Sequence, residues 1–298
     1  MGCVNHSLYH NKKFEHVNWY IERIDKRFGD IVVVHSEKSG AFIAKKTTRE
    51  AISSINAKKK TFEQAFSKIP EFLLHIIAYE ESLNIIDCET KRVSKSADTI
   101  WAKIEVFDKD LNDDVNLRSL KNRRYIGEEI WNLIYFSVFV FAMLEDAGLE
   151  ITTIKRSNFV IANKKLKYYC EELFRFNDTF SEEESMSQIN NSTFKQQFLQ
   201  RKTEFVLMLL TTVNLMHNIN DMMESRFNSR EDLCKYLLEL SSEKIEDQIY
   251  IFIKERLMNN IGCYDSFREL RTYLIDIYDD FDIKFFDRSY VNAFKSKA

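Results

Sequence analysis

Cysteine and histidine, the side chains that most often ligate metals or act as nucleophiles, are few and scattered in this chain. Its five cysteines lie far apart and form no Cys-x-x-Cys pair, which argues against a disulfide framework and against a zinc site. His6 and His10 have His-x-x-x-His spacing, but no further ligand set accompanies them. The sequence therefore predicts no metal site, and it indicates a reducing compartment.

Phosphate chemistry has a better candidate in the segment from Phe28 to Lys46, which reads FGDIVVVHSEKSGAFIAKK. Two runs of β-branched and apolar residues flank the turn residues of Ser36 to Gly40, which predicts a β-hairpin whose second strand ends in lysine. The whole chain has only six glycines and one proline. A glycine-rich phosphate cradle, which needs backbone that can adopt positive φ, is therefore disfavoured.

A third chemistry concerns the start of the sequence. Gly2 follows Met1 and precedes Cys3, so that myristoylation of the glycine and palmitoylation of the cysteine would supply the two anchors that stable membrane attachment requires. The sixth residue is His6, where the myristoylation pattern has Ser or Thr. Two alternatives stay open: a lipidated N-terminus, and an unmodified polar tail.

Composition limits the class of protein. The 298 residues are 45% hydrophobic, which is enough for a large buried core in one bilobed domain or two ordinary domains. The 43 basic and 46 acidic residues give a net charge of −3, so nucleic acid is not an expected partner. No secretory signal pattern opens the sequence, and the longest apolar run is too short to span a membrane. We expect a cytoplasmic protein.

The elements that position these residues are predicted from periodicity. Strand texture covers Trp19 to Ile21, Ile31 to Val34, Ala41 to Ala44, Ile85 to Ile86 and Thr99 to Ile104. Apolar residues at helical spacing predict a helix from Thr61 to about Tyr79, with a break or kink at Pro70. Ile130 to Leu144 and Phe205 to Met216 are apolar nearly all round, which predicts two buried helices. Short strands are expected between Ser157 and Tyr169, a polar loop from Asn177 to Asn191, and amphipathic helices after Ser242.

In order and spacing these segments resemble the protein-kinase family. The strand Ile43-Ala44-Lys45-Lys46 is similar to the kinase Val-Ala-Ile-Lys strand, which implies that Lys46 is the ATP-contacting lysine; Lys45 is the alternative. The partner glutamate of that lysine falls on Glu71. The glycine-rich loop falls on Ile24, Lys26, Gly29 and Ile31, of which only the last glycine survives.

The rest of the resemblance covers the hinge and the catalytic loop. Ile104 to Leu111 resembles the hinge, so that the backbone of Glu105 and Phe107 is implied to accept an adenine. Asn158 to Ile161 matches the end of the catalytic loop, and Lys155 matches its lysine. The acid of the buried helix αF falls near Glu204. The resemblance implies an α+β, bilobed protein-kinase-like fold with a tail at 1–18, a β-rich N-lobe at 19–107 and a mostly helical C-lobe at 108–298.

In the same alignment, the two aspartates that kinase catalysis requires are replaced. Thr153 stands where the family has its catalytic aspartate, and Cys170 stands near the aspartate that binds magnesium, although a shift of one residue would place Glu171 there. A threonine cannot act as a base near neutral pH, and a cysteine is a poor ligand for magnesium. Magnesium is therefore not expected. Two alternatives stay open for ATP. Either ATP does not bind, because the glycines of the loop are lost, or it binds without a metal ion and Lys26 replaces the charge of magnesium.

We therefore expect a pseudokinase: a catalytically inactive kinase-like domain that acts as a binding or scaffolding module for protein partners. One rival is an atypical kinase or nucleotide transferase with a relocated catalytic acid. Another is a structural subunit of a large cytoskeletal or axonemal assembly. The sequence does not identify the partners.

Overall fold

The structure is a computed structural model, and it describes a little over half of the chain. The described residues are 18–25, 31–36, 40–47, 49, 52–53, 56–57, 72–74, 76–81, 84–86, 93–94, 100–107, 109–112, 127–146, 151, 153–162, 165–169, 191–216, 226–259 and 264–277. The chain forms two compact units, Met1–Arg49 with His75–Val106, and Glu50–Leu74 with Phe107–Ala298. The predicted mixed α+β class is confirmed, whereas the predicted domain bounds stay a prediction.

Unit 1 is built on a seven-stranded sheet. Its strands are β1 (Asn18–Asp25), β2 (Ile31–Ser36), β3 (Gly40–Thr47), β4 (Ile76–Glu81), β5 (Asn84–Ile86), β6 (Val93–Ser94) and β7 (Ile100–Ile104), in the order β4-β7-β3-β2-β1-β5-β6. All pairs are antiparallel except β1 with β5. The predicted first three strands, the short strand at Ile85 and the strand at Ile100 are confirmed, because β-branched and aromatic runs favour an extended backbone.

One predicted helix is wrong in its second half. The expected helix from Thr61 to Tyr79 would cover β4, yet Ile76–Glu81 pairs along β7, and Leu73 forms a bridge to Tyr168. Pro70 lies just before this extended stretch, and proline disfavours a continuing helix. The apolar run at Ile76 to Tyr79 is satisfied by cross-strand pairing, which its helical spacing does not reveal. Residues 61–71 lie outside the described residues.

Unit 2 combines a three-stranded sheet with helices. The strands are β8 (Lys109–Asp110), β9 (Phe159–Ala162) and β10 (Lys165–Tyr168), in the order β10-β9-β8. The helices are α1 (Gly127–Asp146), α2 (Asn191–Val213), α3 (Arg230–Ser241), α4 (Asp247–Ile251), which continues as a π-helix (Phe252–Met258), and α5 (Phe267–Ile277). The short strands predicted after Ser157 and the helices predicted after Ser242 are confirmed. No helix in the described part of the chain is both long and apolar enough to cross a membrane.

The two predicted buried helices are α1 and α2. From Leu133 to Leu144 every residue of α1 is buried, and so is every residue of α2 from Phe205 to Val213. α2 begins earlier than predicted, at Asn191. The first half of α2 is polar, so a search for continuous apolar residues finds only its second half.

The ring of Phe141 on α1 marks the centre of the core of unit 2. Its centroid lies 5.4 Å from that of Tyr168 on β10, 5.9 Å from that of Phe205 on α2 and 5.0 Å from that of Phe267 on α5. The contact with Phe267 is tilted and the other two are edge-on, geometries that aromatic pairs prefer. One side chain thus joins the small sheet to three helices.

A polar joint connects the end of α1 to the start of α5. The Glu145 carboxylate accepts hydrogen bonds from the backbone amides of Phe267 and Arg268, both at 3.1 Å, which are orphan donors at a helix N-terminus. Arg268 and Arg271 each lie 2.8 Å from Asp146. Burial raises the pKa of the Glu145 carboxyl above its usual range, and the two amides and Arg268 oppose that shift.

The contact between α2 and α3 gives a prediction about Cys234. This residue is 2% exposed, and burial followed by the nearby Glu231 raises the pKa of its thiol to about 12. At pH 8 only about one thiol in 10⁴ would be ionised, and the thiolate is the reactive form. We expect iodoacetamide to leave Cys234 unmodified in the native protein and to label it fully in guanidinium, as measured by peptide mass mapping. Labelling of native Cys234 at the rate of an exposed thiol would contradict this packing.

Candidate functional site

The segment from Ile151 to Asn158 joins the core of unit 2 to its small sheet, and α2 holds it by a carboxylate. The backbone amide of Ile154 donates to Oε2 of Glu204 at 3.0 Å. Arg201, one turn earlier on α2, contacts the other carboxylate oxygen at 2.7 Å. Arg230 on α3 reaches the same oxygen at 3.5 Å, but its side chain is 56% exposed, so that this contact contributes little. One carboxylate oxygen of Glu204 therefore accepts the backbone hydrogen bond, and the other forms the ion pair with Arg201.

A second anchor follows in the short 3₁₀-helix Arg156–Asn158. Arg156 is buried, and its Nη2 donates to the backbone oxygen of Met216. Met216 lies beyond the end of α2, after Leu215, whose φ of 55° is left-handed. Such a φ is uncommon for a residue other than glycine. The segment is thus fixed both to the middle of α2 and to the turn that follows this helix.

Asn158 closes the segment against the hairpin of β9 and β10. Its Nδ2 donates to the backbone oxygen of Tyr169 at 3.2 Å, and the Tyr169 amide donates to the Asn158 backbone oxygen at 2.6 Å. The side chain therefore continues the antiparallel pairing one residue beyond Phe159 and Tyr168. Asn158 is only 1% exposed. Its amide group has a structural role in this conformation.

Thr153 stands where the predicted resemblance to protein kinases places the catalytic aspartate. Its backbone oxygen accepts a long hydrogen bond of 3.4 Å from the Tyr168 hydroxyl, and its own Oγ1 is buried and forms no hydrogen bond within the described residues. A threonine hydroxyl offers no base near neutral pH. Lys155, two residues later, is exposed. The segment thus carries no carboxylate where a general base would be needed.

One face of the three-stranded sheet has two charged residues that sequence reasoning missed. Asp110 on β8 and Lys167 on β10 both lie opposite Val160, and side chains alternate between faces, so both lie on the face of Val160. Asp110 is 0% exposed and Lys167 is 6% exposed. Their burial depends on strand register, and the only sequence signal is a charge inside each short strand.

The predicted nucleotide-binding residues have different outcomes. Lys46 lies on β3 with Trp101 as its partner on β7. Glu105 and Phe107 follow β7 in non-strand backbone and are 8% and 1% exposed, where the chain passes from unit 1 to unit 2. Asn158 belongs to unit 2. The other predicted positions lie outside the described residues: Gly2, Cys3, Lys26, Gly29, Glu71, Cys170 and Glu171.

Comparison with models of known protein families, and with curated protein sequences, finds no match to this chain.

The Glu204 contact predicts a graded set of stability changes. Glu204→Ala leaves the Ile154 amide without its acceptor and is expected to lower the free energy of unfolding by about 1–3 kcal/mol. Glu204→Gln keeps an acceptor for that amide and loses only the ion pair with Arg201, so that its loss should be smaller. Urea denaturation measures both.

Glu239→Ala on α3 is the matched control, because Glu239 is also a helical glutamate but is exposed. Its effect should stay within about 0.5 kcal/mol. The anchoring role of Glu204 is wrong if Glu204→Ala destabilises the protein no more than this control does.

Proposed function

We propose that this chain is a pseudokinase: a catalytically inactive protein-kinase-like module, with a β-rich N-lobe and a helical C-lobe, that binds other proteins in the cytoplasm. The observation that supports it best is the hydrogen bond between the Ile154 amide and Glu204. Order and spacing alone aligned Glu204 with the acid of the kinase helix αF and aligned Ile151 to Asn158 with the catalytic loop. These two positions are 50 residues apart in sequence, yet they are in direct contact.

The order of elements supports the same proposal. A sheet precedes α1, the anchored segment and the β9–β10 hairpin follow α1, and α2 comes next. Both long helices have a long, fully buried stretch, Leu133 to Leu144 in α1 and Phe205 to Val213 in α2, as the resemblance implies. Fold and function are separate questions, however, because one fold can carry many activities. The function has to be inferred from the residues at the site.

Those residues support binding without phosphoryl transfer. Kinase catalysis depends on a base for the substrate hydroxyl and on acidic and amide ligands for magnesium. Thr153 provides no base, and the loss of a positioned general base typically costs about 10²–10⁴-fold in rate. Asn158 is buried, and its Nδ2 donates to Tyr169. The segment from Ile151 to Asn158 therefore has a structural role, and we expect protein partners to bind elsewhere on the surface of the module.

The N-terminus adds a second part to the proposal. Lipidation at Gly2 and Cys3 would place such a module at a membrane surface, where it could hold a protein partner. This part is independent of the kinase-like fold, and either can be wrong without the other.

The rival is an atypical kinase or nucleotide transferase, and one observation favours it. Asp110 places a carboxylate on β8 opposite Val160, which is two residues after Asn158 in sequence, and a relocated acid could act from this strand. Asp110 is 0% exposed, so this rival also requires the face to open. Loss of activity in Asp110→Asn would identify that acid.

The deciding experiment combines a thermal shift with a turnover assay. We expect ATP with magnesium to give no phosphate release or protein phosphorylation above the background of Lys46→Ala, and magnesium to add nothing to any shift caused by ATP. Lys235→Ala, at an exposed lysine of α3, is the control, because Lys45 is itself the alternative ATP-contacting lysine on β3. Turnover that is lost in Lys46→Ala or in Lys45→Ala and kept in Lys235→Ala would contradict the proposal and favour the enzyme.

A further inference from the structure

The π-helix Phe252–Met258 holds an arginine in an unusual setting. It continues directly from α4, and the backbone amide of Asn259 donates to the oxygen of Lys254 at 2.8 Å, which is the wide i to i+5 spacing of a π turn. π turns are rare and are frequently found at functional sites. The wider turn changes the direction of the side chains on it, and Arg256 is one of them.

Arg256 is oriented by two tyrosines. Its Cζ lies 4.8 Å from the ring centroid of Tyr273 on α5, and its charge lies close enough to the Tyr264 hydroxyl to oppose the burial that raises the pKa of that hydroxyl. The ring of Tyr273 is itself supported by Tyr264 at 5.7 Å and by Phe252 at 6.2 Å between centroids. Stacking of a guanidinium on a tyrosine restricts its rotation and leaves its N–H edge available.

Arg256 also differs from three other arginines of unit 2 in its charge partners. Arg201, Arg268 and Arg271 each contact a carboxylate at 2.7 to 2.8 Å, whereas Arg256 forms no ion pair within the described part of the chain. It is partly exposed, like Tyr264 and Tyr273. A guanidinium carries five N–H donors, and a single tyrosine hydroxyl can accept only part of this capacity. An oriented cation with donors to spare thus faces the surface.

We propose that Arg256, Tyr264 and Tyr273 form a docking point for the carboxylate of an acidic segment of a partner protein. The planar guanidinium edge matches a carboxylate in bidentate geometry. Tyrosine and arginine are also the residues that dominate binding energy at protein interfaces. This inference goes beyond the proposed function and does not depend on a kinase-like fold.

The surrounding charges favour a carboxylate over a phosphate. Glu255 directly precedes Arg256, Glu269 lies in the first turn of α5, and both are exposed. The Nζ of Lys254 lies 5.6 Å from the ring centroid of Tyr250. A phosphate group carries a charge of about −1.5 to −2 at neutral pH and would be repelled more strongly by these acids. One arginine can neutralise one carboxylate.

The test uses a displayed library of random peptides selected on the full-length protein. The selected peptides are expected to be enriched in Asp and Glu, and a selected peptide measured by fluorescence anisotropy should bind Arg256→Gln at least roughly 10-fold more weakly than the wild type. Lys254→Gln, an exposed cation of the same π-helix, is the matched control and should bind normally. Equal binding by Arg256→Gln, or no acidic enrichment, would overturn the proposal.

Two further arms keep the result clear if Arg256→Gln melts at a lower temperature. Replacing the acids of the selected peptide by their amides tests the same contact on the unaltered protein, and it should weaken binding by a similar factor. Inorganic phosphate and acetate are then compared as competitors at equal ionic strength. If phosphate displaces the peptide and acetate does not, the site recognises phosphate and the carboxylate assignment is wrong.

Discussion

The carboxylate of Glu204 is the constraint on which unit 2 depends most. It lies on α2 directly before the fully buried stretch of that helix, and it accepts a hydrogen bond from the amide of buried Ile154. A buried backbone amide without a partner is costly, so such groups are almost always paired. Because one side chain meets this need, Ile154 does not have to lie in a strand or a helix. The segment can therefore keep an irregular path between α1 and the β9–β10 hairpin.

The remaining contacts extend that constraint in two directions. Arg156 and Asn158 fix the end of the segment to the turn after α2 and to Tyr169. On the other side, Phe141 and the carboxylate of Glu145 connect α1 to α5. Apolar burial supplies most of the stability, whereas the polar contacts select one arrangement. The buried polar groups thus specify where the segment lies.

How far sequence could predict this structure depended on whether each signal was local. The β-branched runs of β2 and the continuous apolar run of α1 predicted their elements, since periodicity and burial agree there. The prediction of a helix over the residues of β4 was wrong because these apolar residues suit a helix as well as a strand. Only the pairing of β4 with β7 decides between the two. Asp110 and Lys167 were missed because their shared face arises from the register of three strands. Arg256 was missed because its tyrosine partners come from other segments.

The contact between Glu204 and Ile154 can be measured directly by hydrogen exchange of individual backbone amides, followed by NMR. If the carboxylate holds the segment, the Ile154 amide should exchange as slowly as amides in the buried stretch of α2, such as that of Leu209, although Ile154 lies in neither a helix nor a strand. Exchange of the Ile154 amide at the rate of an open, solvent-exposed loop would contradict the account, because the segment would then move independently of α2.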